Sequence, residues 1–528
     1  MEERGPLKLY FIHFLAAGHM IPLCDIATMF ASRGHNVTII TTPSNAQNIR
    51  KSIPYHPLLF FHTIQFPSQE VGLPDGIENI SFVTNQDDLA KVVDATTKLQ
   101  SPIEHLVEQH PPDCIVADFL FPWVDGLANK LRIPRLVFNG FSLFTICAIQ
   151  SATPDSSASL FIPTLPHPIT INATPPKELT QFLETMIETE LKSYGLIVNN
   201  FAELDGEEYI QYYEKTTGHK VWHLGPASLI SRTAQEKSER GQKSVVRMQE
   251  CLSWLDSKRG NSVVYICFGS LCLFPDKQLY EIACGIEASG HEFIWVVPEK
   301  KGKEHESEVE KEKWLPKGFE ERNADKGMII RGWAPQLLIL NHRALGAFIT
   351  HCGWNSTVEA VSAGVPMVTW PVHGEQFYNE KLITQVRGIG VEVGAEEWTA
   401  IGIGERHKLV TGDSIQNAVR RLMDGGDEAL EIRRRAKEFG KKASQAVREG
   451  GSSHNNLSAL IDDLMRLRDA KHLQAQMRPK QKSRSISLLN VQKKRLDPLL
   501  CIQRRRLVSL WVSILHYTFK AKAQFSNA

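Results

Sequence analysis

Followed for its alternation of apolar and polar positions, the chain opens on a short apolar run, residues 7–15, with the length and composition of a buried strand. Residues 21–32 carry apolar positions at helical spacing, and 35–42 form a second strand-like run. Strand, helix and strand in this order predict a parallel βαβ unit. The alternation recurs, with short apolar strands expected at 113–117, 135–138 and 195–199 between helix-length stretches. A first α/β domain built on a parallel sheet follows.

Between residues 226 and 246 the periodicity gives way to polar and charged residues, a composition that predicts a linker. The alternation then restarts: a strand at 262–268, a helix at 276–288, and further strands at 292–297, 344–350 and 365–370. These predict a second α/β domain. The dense mixed-charge run 300–313 reads as a solvated loop inserted into it, and 457–467 is a last stretch at helical spacing. The expected organisation is residues 1–245 for the first domain with its linker, 246–450 for the second, 451–469 for a closing helix, and 470–528 for a tail outside the fold.

Length and composition agree with this division. A chain of 528 residues exceeds what one core usually supports, and 42% apolar with 23% charged residues is ordinary for a globular protein. The net charge of +1 hides an asymmetry. The last 59 residues hold 13 Lys and Arg against one acid, Asp497, which leaves the rest of the chain at −11. An acidic body argues against nucleic acid as a partner. In the tail, Arg504, Arg505 and Arg506 precede the apolar run 507–519, which suits a surface anchor but is too short to span a bilayer. The plainer reading is an extension outside the fold. Nine cysteines without a C-x-x-C pair predict free thiols and no metal site. The opening Met1-Glu2-Glu3-Arg4 lacks the pattern of a secretory leader, so a cytoplasmic protein is expected; a monomer is expected as well.

The densest chemical signal lies in residues 333–376. Trp333, beside Pro335 and Gln336, offers a flat face for a base and hydrogen bonds for its edge and ribose, unless it is simply a core indole. The strand ending at Thr350 runs into His351-Cys352-Gly353-Trp354-Asn355-Ser356 and a helix. Free backbone N–H groups and the positive end of a helix dipole favour a diphosphate there. Ser356 to Glu359 also fits a capping box, which would satisfy the helix without any ligand. Glu359 therefore has two readings, helix cap or acceptor of ribose hydroxyls. Glu375 and Gln376 follow another buried strand and could meet sugar hydroxyls or form a plain polar loop.

This 44-residue stretch resembles the plant secondary-product glycosyltransferase signature of the plant family 1 UDP-glycosyltransferases. The matching residues are Trp-Ala-Pro-Gln at 333–336, His-Cys-Gly-Trp-Asn-Ser at 351–356, Glu359, and Glu375-Gln376, with similarity continuing to about residue 468. The resemblance implies a GT-B fold, two facing Rossmann-like domains with the donor on the second and the acceptor on the first. It also implies donor contacts: Trp333 and Ala334 for uracil, Gln336 and Glu359 for ribose, and Ser270, His351, Gly353, Asn355 and Ser356 for diphosphate. Trp354, Glu375 and Gln376 would meet the sugar. Gln376 implies glucose, with xylose as the alternative. Glu375 stands where many members carry Asp.

Chemistry on the acceptor side must come from the first domain. His19 follows the first strand and opens a helix, and Asp118 follows the strand at 113–117. A neutral imidazole steadied by a carboxylate is a general base for an acceptor hydroxyl or carboxyl, and family members use a His and an Asp at matching positions. His13 is expected to be a core or cleft-lining histidine. Inversion at the anomeric carbon and no metal requirement are also expected, UDP-sugar being a co-substrate rather than a cofactor. The segments 16–23, 138–144 and 374–382 resemble legume enzymes that glycosylate triterpenoid sapogenins or isoflavonoids. From that likeness a lipophilic acceptor is expected, with Phe138, Phe141, Ser142 and Phe144 as pocket or core residues. Two other classes compete. A nicotinamide dehydrogenase needs G-x-G-x-x-G where this chain has Leu15-Ala16-Ala17-Gly18-His19-Met20. A silent nucleotide-sugar binder would have no use for His19 with Asp118.

Overall fold

The computed structural model describes residues 5–477, apart from 84–85, 153–158, 231, 242–247, 298–311 and 400–407. Most of the mixed-charge run at 300–313 and the basic tail from 478 onward lie outside the described residues. Two parallel sheets organise the molecule. The first contains β1 (Lys8–Ile12), β2 (Asn36–Thr41), β3 (Leu59–Thr63), β4 (Cys114–Asp118) and β5 (Arg135–Asn139). After a small antiparallel hairpin, β6 (Leu160–Ile162) with β7 (Ile169–Ile171), it continues through β8 (Gly195–Val198) and β9 (Val221–His223). Its strand order is β3-β2-β1-β4-β5-β8-β9.

The second sheet holds β10 (Val263–Cys267), β11 (Glu292–Val297), β12 (Gly327–Arg331), β13 (Leu345–Thr350), β14 (Met367–Thr369) and β15 (Gly390–Glu392), in the order β12-β11-β10-β13-β14-β15. Helices cover both faces of such a sheet, so central strands are buried on both sides and mainly apolar. β4, β5 and β13 are accordingly buried at every position. In each sheet the strand order reverses beside the first strand, between β1 and β4 and between β10 and β13. The crevice at such a reversal, beyond the carboxyl ends of the strands, is where α/β sheets bind ligands.

The last described helix, Ser452–Met477, begins after the second domain yet buries Leu457, Leu460, Ile461 and Leu464 in the core of the first, with Leu7, Phe30 and Trp222. Each such side chain contributes roughly 1.5–3 kcal/mol. Arg468 extends the attachment by donating to the Gly5 carbonyl at 2.7 Å. The helix runs eight residues past position 469, where the apolar spacing fades, because a helix already docked can continue on local bonds alone. Among the described residues no helix is long and apolar enough to cross a membrane.

Candidate active site

β1 and β4 are neighbours, with Ile12 opposite Ala117, so the residues just beyond their carboxyl ends meet although 99 positions separate them. The helix Ala17–Ser32 starts after β1 and carries His19 in its first turn. His19 Nδ1 lies 2.8 Å from Asp118 Oδ2. Asp118 is fully buried and its other oxygen accepts from the Leu120 N–H at 3.1 Å, which fixes the carboxylate. With Nδ1 on Asp118, Nε2 is the nitrogen left for a substrate proton. Burial alone would lower the His19 pKa, but the charge and hydrogen bond of Asp118, helped by Glu375, hold it above the ordinary histidine value. His13 differs in every respect. It is buried, its Nε2 lies 2.8 Å from Thr41 Oγ1, and burial pulls it down to about 4, the profile of a neutral core histidine.

On the second domain, β13 hands over to a turn in which Cys352 takes a left-handed conformation (φ 64°), uncommon for a residue with a side chain. The turn throws the His351 imidazole between two glycines. A Cβ at Gly269 would lie 2.8 Å from that ring, and one at Gly353 2.4 Å, so any side chain at either position would displace it. Ser270, exposed, follows Gly269 directly. Burial draws His351 down to about 4, and its Nδ1 is buried without a hydrogen-bond partner. A neutral imidazole and a helix N-terminus thus converge beside the Gly269-Ser270 turn, a donor-rich surface for an anion.

The helix begins at Trp354 with Gly353 as its N-cap and no side-chain cap, which corrects the capping-box reading. Ser356 is the third residue inside the helix rather than its cap. Its Oγ accepts from Gln336 Nε2 at 3.2 Å, and Glu359 Oε2 accepts from the same amide at 2.8 Å. The other Glu359 oxygen is taken by Arg240. Ala334 is buried, and Trp333 donates from Nε1 to the Arg240 carbonyl at 3.1 Å. Gln376 turns inward: its Oε1 accepts from the N–H groups of Val372 and His373 at 2.9 and 3.0 Å and its Nε2 lies 3.2 Å from His373 Nδ1, so in this structure the side chain shapes the loop.

The two halves touch beside the dyad. Pro22, in the second turn of the His19 helix, has no N–H, so the Gly18 carbonyl four residues earlier lacks its helical donor. Asn355 of the other domain supplies one, Nδ2 to O at 2.6 Å. Trp354 donates from Nε1 to the Asn199 carbonyl at 2.9 Å. Glu375 sits close enough for its charge to act on His19, and burial pushes its own carboxyl up to about 7. Among the described residues, no group of three or more His, Cys, Asp or Glu is placed to hold a metal ion.

Comparison with known proteins agrees with this geometry. Residues 222–423 match the family model described as UDP-glucoronosyl and UDP-glucosyl transferase. UDP-glucosyl transferase 73CC6 of Saponaria officinalis is 49% identical over 487 residues, covering 89% of this chain and 99% of that protein. UDP-glucose flavonoid 3-O-glucosyltransferase 7 of Fragaria ananassa is 47% identical, covering 87% and 96%. The chain belongs to the plant UDP-glycosyltransferases. The crystal structure of Glycyrrhiza uralensis UGT73P12 complexed with glycyrrhetinic acid 3-O-monoglucuronide superposes with a TM-score of 0.81 at 38% identity, covering 89% of this chain and 98% of that one. The fold is therefore GT-B, and the protein is a glycosyltransferase.

On the acceptor side of this UDP-glycosyltransferase the four expected pocket residues separate. Phe138 is fully buried in the first-domain core, Phe144 is buried edge-on against Tyr209, and Ser142 caps the helix Leu143–Ser151 through the Thr145 N–H. Phe141 alone of the four is partly exposed. Its ring lies 5.7 Å from Phe119, which lies 5.8 Å from His19 and 6.0 Å from Phe182; Phe14 closes on His19 from another side at 5.6 Å. Sequence reasoning missed Phe14, Phe119 and Phe182. Phe119 could have been found from its position next to Asp118, since a residue beyond a strand's carboxyl end borders the crevice. It also missed Asn379, fully buried, whose Nδ2 donates to the Cys352 carbonyl at 2.8 Å and reaches Glu375 at 3.3 Å while its Oδ1 accepts from Thr145 at 2.7 Å.

Proposed function

We propose that this enzyme transfers glucose from UDP-glucose, with inversion, to a hydroxyl or carboxyl of a triterpenoid sapogenin. The observation that carries the reading is the apposition of the His19–Asp118 pair with the diphosphate-type turn at His351–Ser356, joined by the 2.6 Å contact from Asn355 to Gly18. In this reading His19 Nε2 takes the acceptor proton as the acceptor oxygen bonds the anomeric carbon. The bond from that carbon to the diphosphate oxygen breaks, and UDP leaves. Asp118 steadies the imidazolium. The turn and the helix N-terminus stabilise the departing diphosphate.

Glu359 with Gln336 would receive the ribose, Trp333 with Ala334 the uracil, and Glu375 with Gln376 the sugar. Ser270, His351, Gly353, Asn355 and Ser356 would receive the diphosphate. The partly exposed Phe141 and Phe182, packed on the buried Phe119 beside His19, suit a large apolar acceptor, and the UGT73P12 structure holds a glycyrrhetinic acid glycoside. The flavonoid enzyme of Fragaria, nearly as similar as the Saponaria one, favours a flavonoid as the second reading.

Mass spectrometry of products after incubation with UDP-glucose or UDP-xylose and a panel of oleanane sapogenins, isoflavones and flavonols tests both. Hexose added to the sapogenins supports the first reading. Hexose added only to flavonols or isoflavones selects the second, and pentose addition replaces the donor. UDP binding without transfer to any acceptor would favour a silent binder.

A further inference from the structure

We propose that Arg240, in the segment joining the two domains, sets donor affinity by holding the Glu359 carboxylate until the donor's ribose claims it. Nucleotide binding and partial release of this segment then become one event. This rests on the reading of Glu359 as the ribose contact.

The sequence marks residues 226–246 only as a polar linker, but two of its arginines are buried, and Arg240 reaches carboxylates of both domains. Arg240, its side chain 8% exposed, donates through one amino group to Asp25 of the His19 helix at 2.8 Å and through the other to Glu359. Arg232 holds the second oxygen of Asp25 and donates from Nε to the Ser52 carbonyl at 3.0 Å. Between them the short helix Ala234–Ser238 is closed by a capping box of Thr233 and Glu236, which keeps the two arginines at a set spacing. A planar guanidinium can serve two carboxylates at once, which a lysine ammonium does far less well.

The same segment also covers Trp333. The Arg240 carbonyl accepts the indole N–H, and Gly241, at φ 93°, lies against the ring. A Cβ there would fall 2.5 Å from indole Cζ2 and 2.8 Å from Ile21 Cδ1. Residues 240–241 thus place a hydrogen-bond donor on Glu359 and a flat backbone on Trp333, the two contacts expected of a nucleoside's ribose and base. With Gln336 on one oxygen and Arg240 on the other, Glu359 is 4% exposed, and a ribose diol cannot reach it.

Stripping a buried arginine of all its partners would cost several kcal/mol, but Arg240 can let go of Glu359 while its other amino group stays on Asp25. Ribose hydroxyls then replace the guanidinium as donors to the carboxylate.

Calorimetry with UDP on the full chain, the Arg240→Ala variant and the Glu359→Gln variant tests this. If Glu359 is free about one time in ten in the unliganded protein, Arg240→Ala binds UDP about tenfold tighter. Glu359→Gln binds it more weakly. Unchanged or weaker binding by Arg240→Ala, with Glu359→Gln still weakened, overturns the role of Arg240 and leaves the ribose reading standing. Unchanged binding by Glu359→Gln removes the ribose reading and this inference with it. Hydrogen exchange on the unaltered protein is independent of whether Arg240→Ala folds. Amides of residues 234–241 should exchange faster when UDP is added, and equal or slower exchange refutes the coupling.

Discussion

The crevices of the two sheets are built alike and encoded differently. In the second domain nearly every candidate donor residue lies within 44 consecutive positions, because one turn, one helix start and one following loop supply them. In the first domain the proposed base and its partner are 99 positions apart, and the aromatic rings around them come from Phe14, Phe119, Phe141 and Phe182. A diphosphate and a nucleoside present fixed shapes and charges, so a continuous stretch can be specialised for them. An apolar acceptor, as proposed, would offer few polar handles, and its wall would be assembled from whatever side chains the sheet brings together. The donor half should therefore respond to substitution in binding, and the acceptor half in turnover.

The sharpest way to break that contrast is His19→Ala. Loss of the base should lower kcat by roughly 10²–10⁴-fold while UDP affinity by calorimetry moves within about a few-fold. Turnover near the original level would remove His19 from the chemistry. Asp118→Asn should cost roughly 10²–10⁴-fold in kcat and leave a pH signature. His19 must be neutral to act as a base, and Asp118 holds its pKa above 6.5, so the rate of the unaltered enzyme should fall as pH drops through that raised value. Without the carboxylate, burial prevails, the His19 pKa falls, and the acid limb of the pH profile moves to lower pH. A limb that stays in place would show that another group sets it.

The donor half has its own titration. Glu375 is held up to about 7 by burial, and only its ionised form accepts two sugar hydroxyls. KM for UDP-glucose should therefore rise about tenfold as pH falls from above 7 to well below it, for the loss of one charged hydrogen bond. KM of Glu375→Gln should be flat over the same range, and kinetics at several pH values separate the two. Pro22→Ala restores an N–H that competes with Asn355 for the Gly18 carbonyl. The loss of about 0.5–1.5 kcal/mol from that contact should lower kcat/KM by about two- to tenfold. Smallest in its effect on activity is Leu460→Ala in the crossing helix. It should destabilise the fold by about 2–5 kcal/mol in thermal or denaturant unfolding, with kcat per folded molecule little changed.

Several sequence readings met their limit where a local rule competed with a distant partner. Ser356 and Glu359 have the spacing of a capping box, but the turn at Cys352 starts the helix at Trp354 and turns both side chains toward Gln336. Phe138 and Phe144 could by composition be core as well as pocket, and the structure buries both; Phe119, also buried, is the ring that packs beside His19. The segment after Pro226 has the composition of a linker and nonetheless buries Arg232 against Asp25 and Arg240 between Asp25 and Glu359 of the two domains.

By itself the sequence determined the two α/β halves and their parallel sheets and marked a candidate donor stretch, because these rest on apolar periodicity and on residues close along the chain. Only the tertiary structure decided that His19 meets Asp118, that Gly269 and Gly353 must be bare because the His351 ring lies between them, and that Arg240 stands on Glu359. These depend on strand order and domain closure. A hydrogen bond or a steric contact acts over a few ångströms of space whatever the separation along the chain, and no local pattern records which distant residue will arrive.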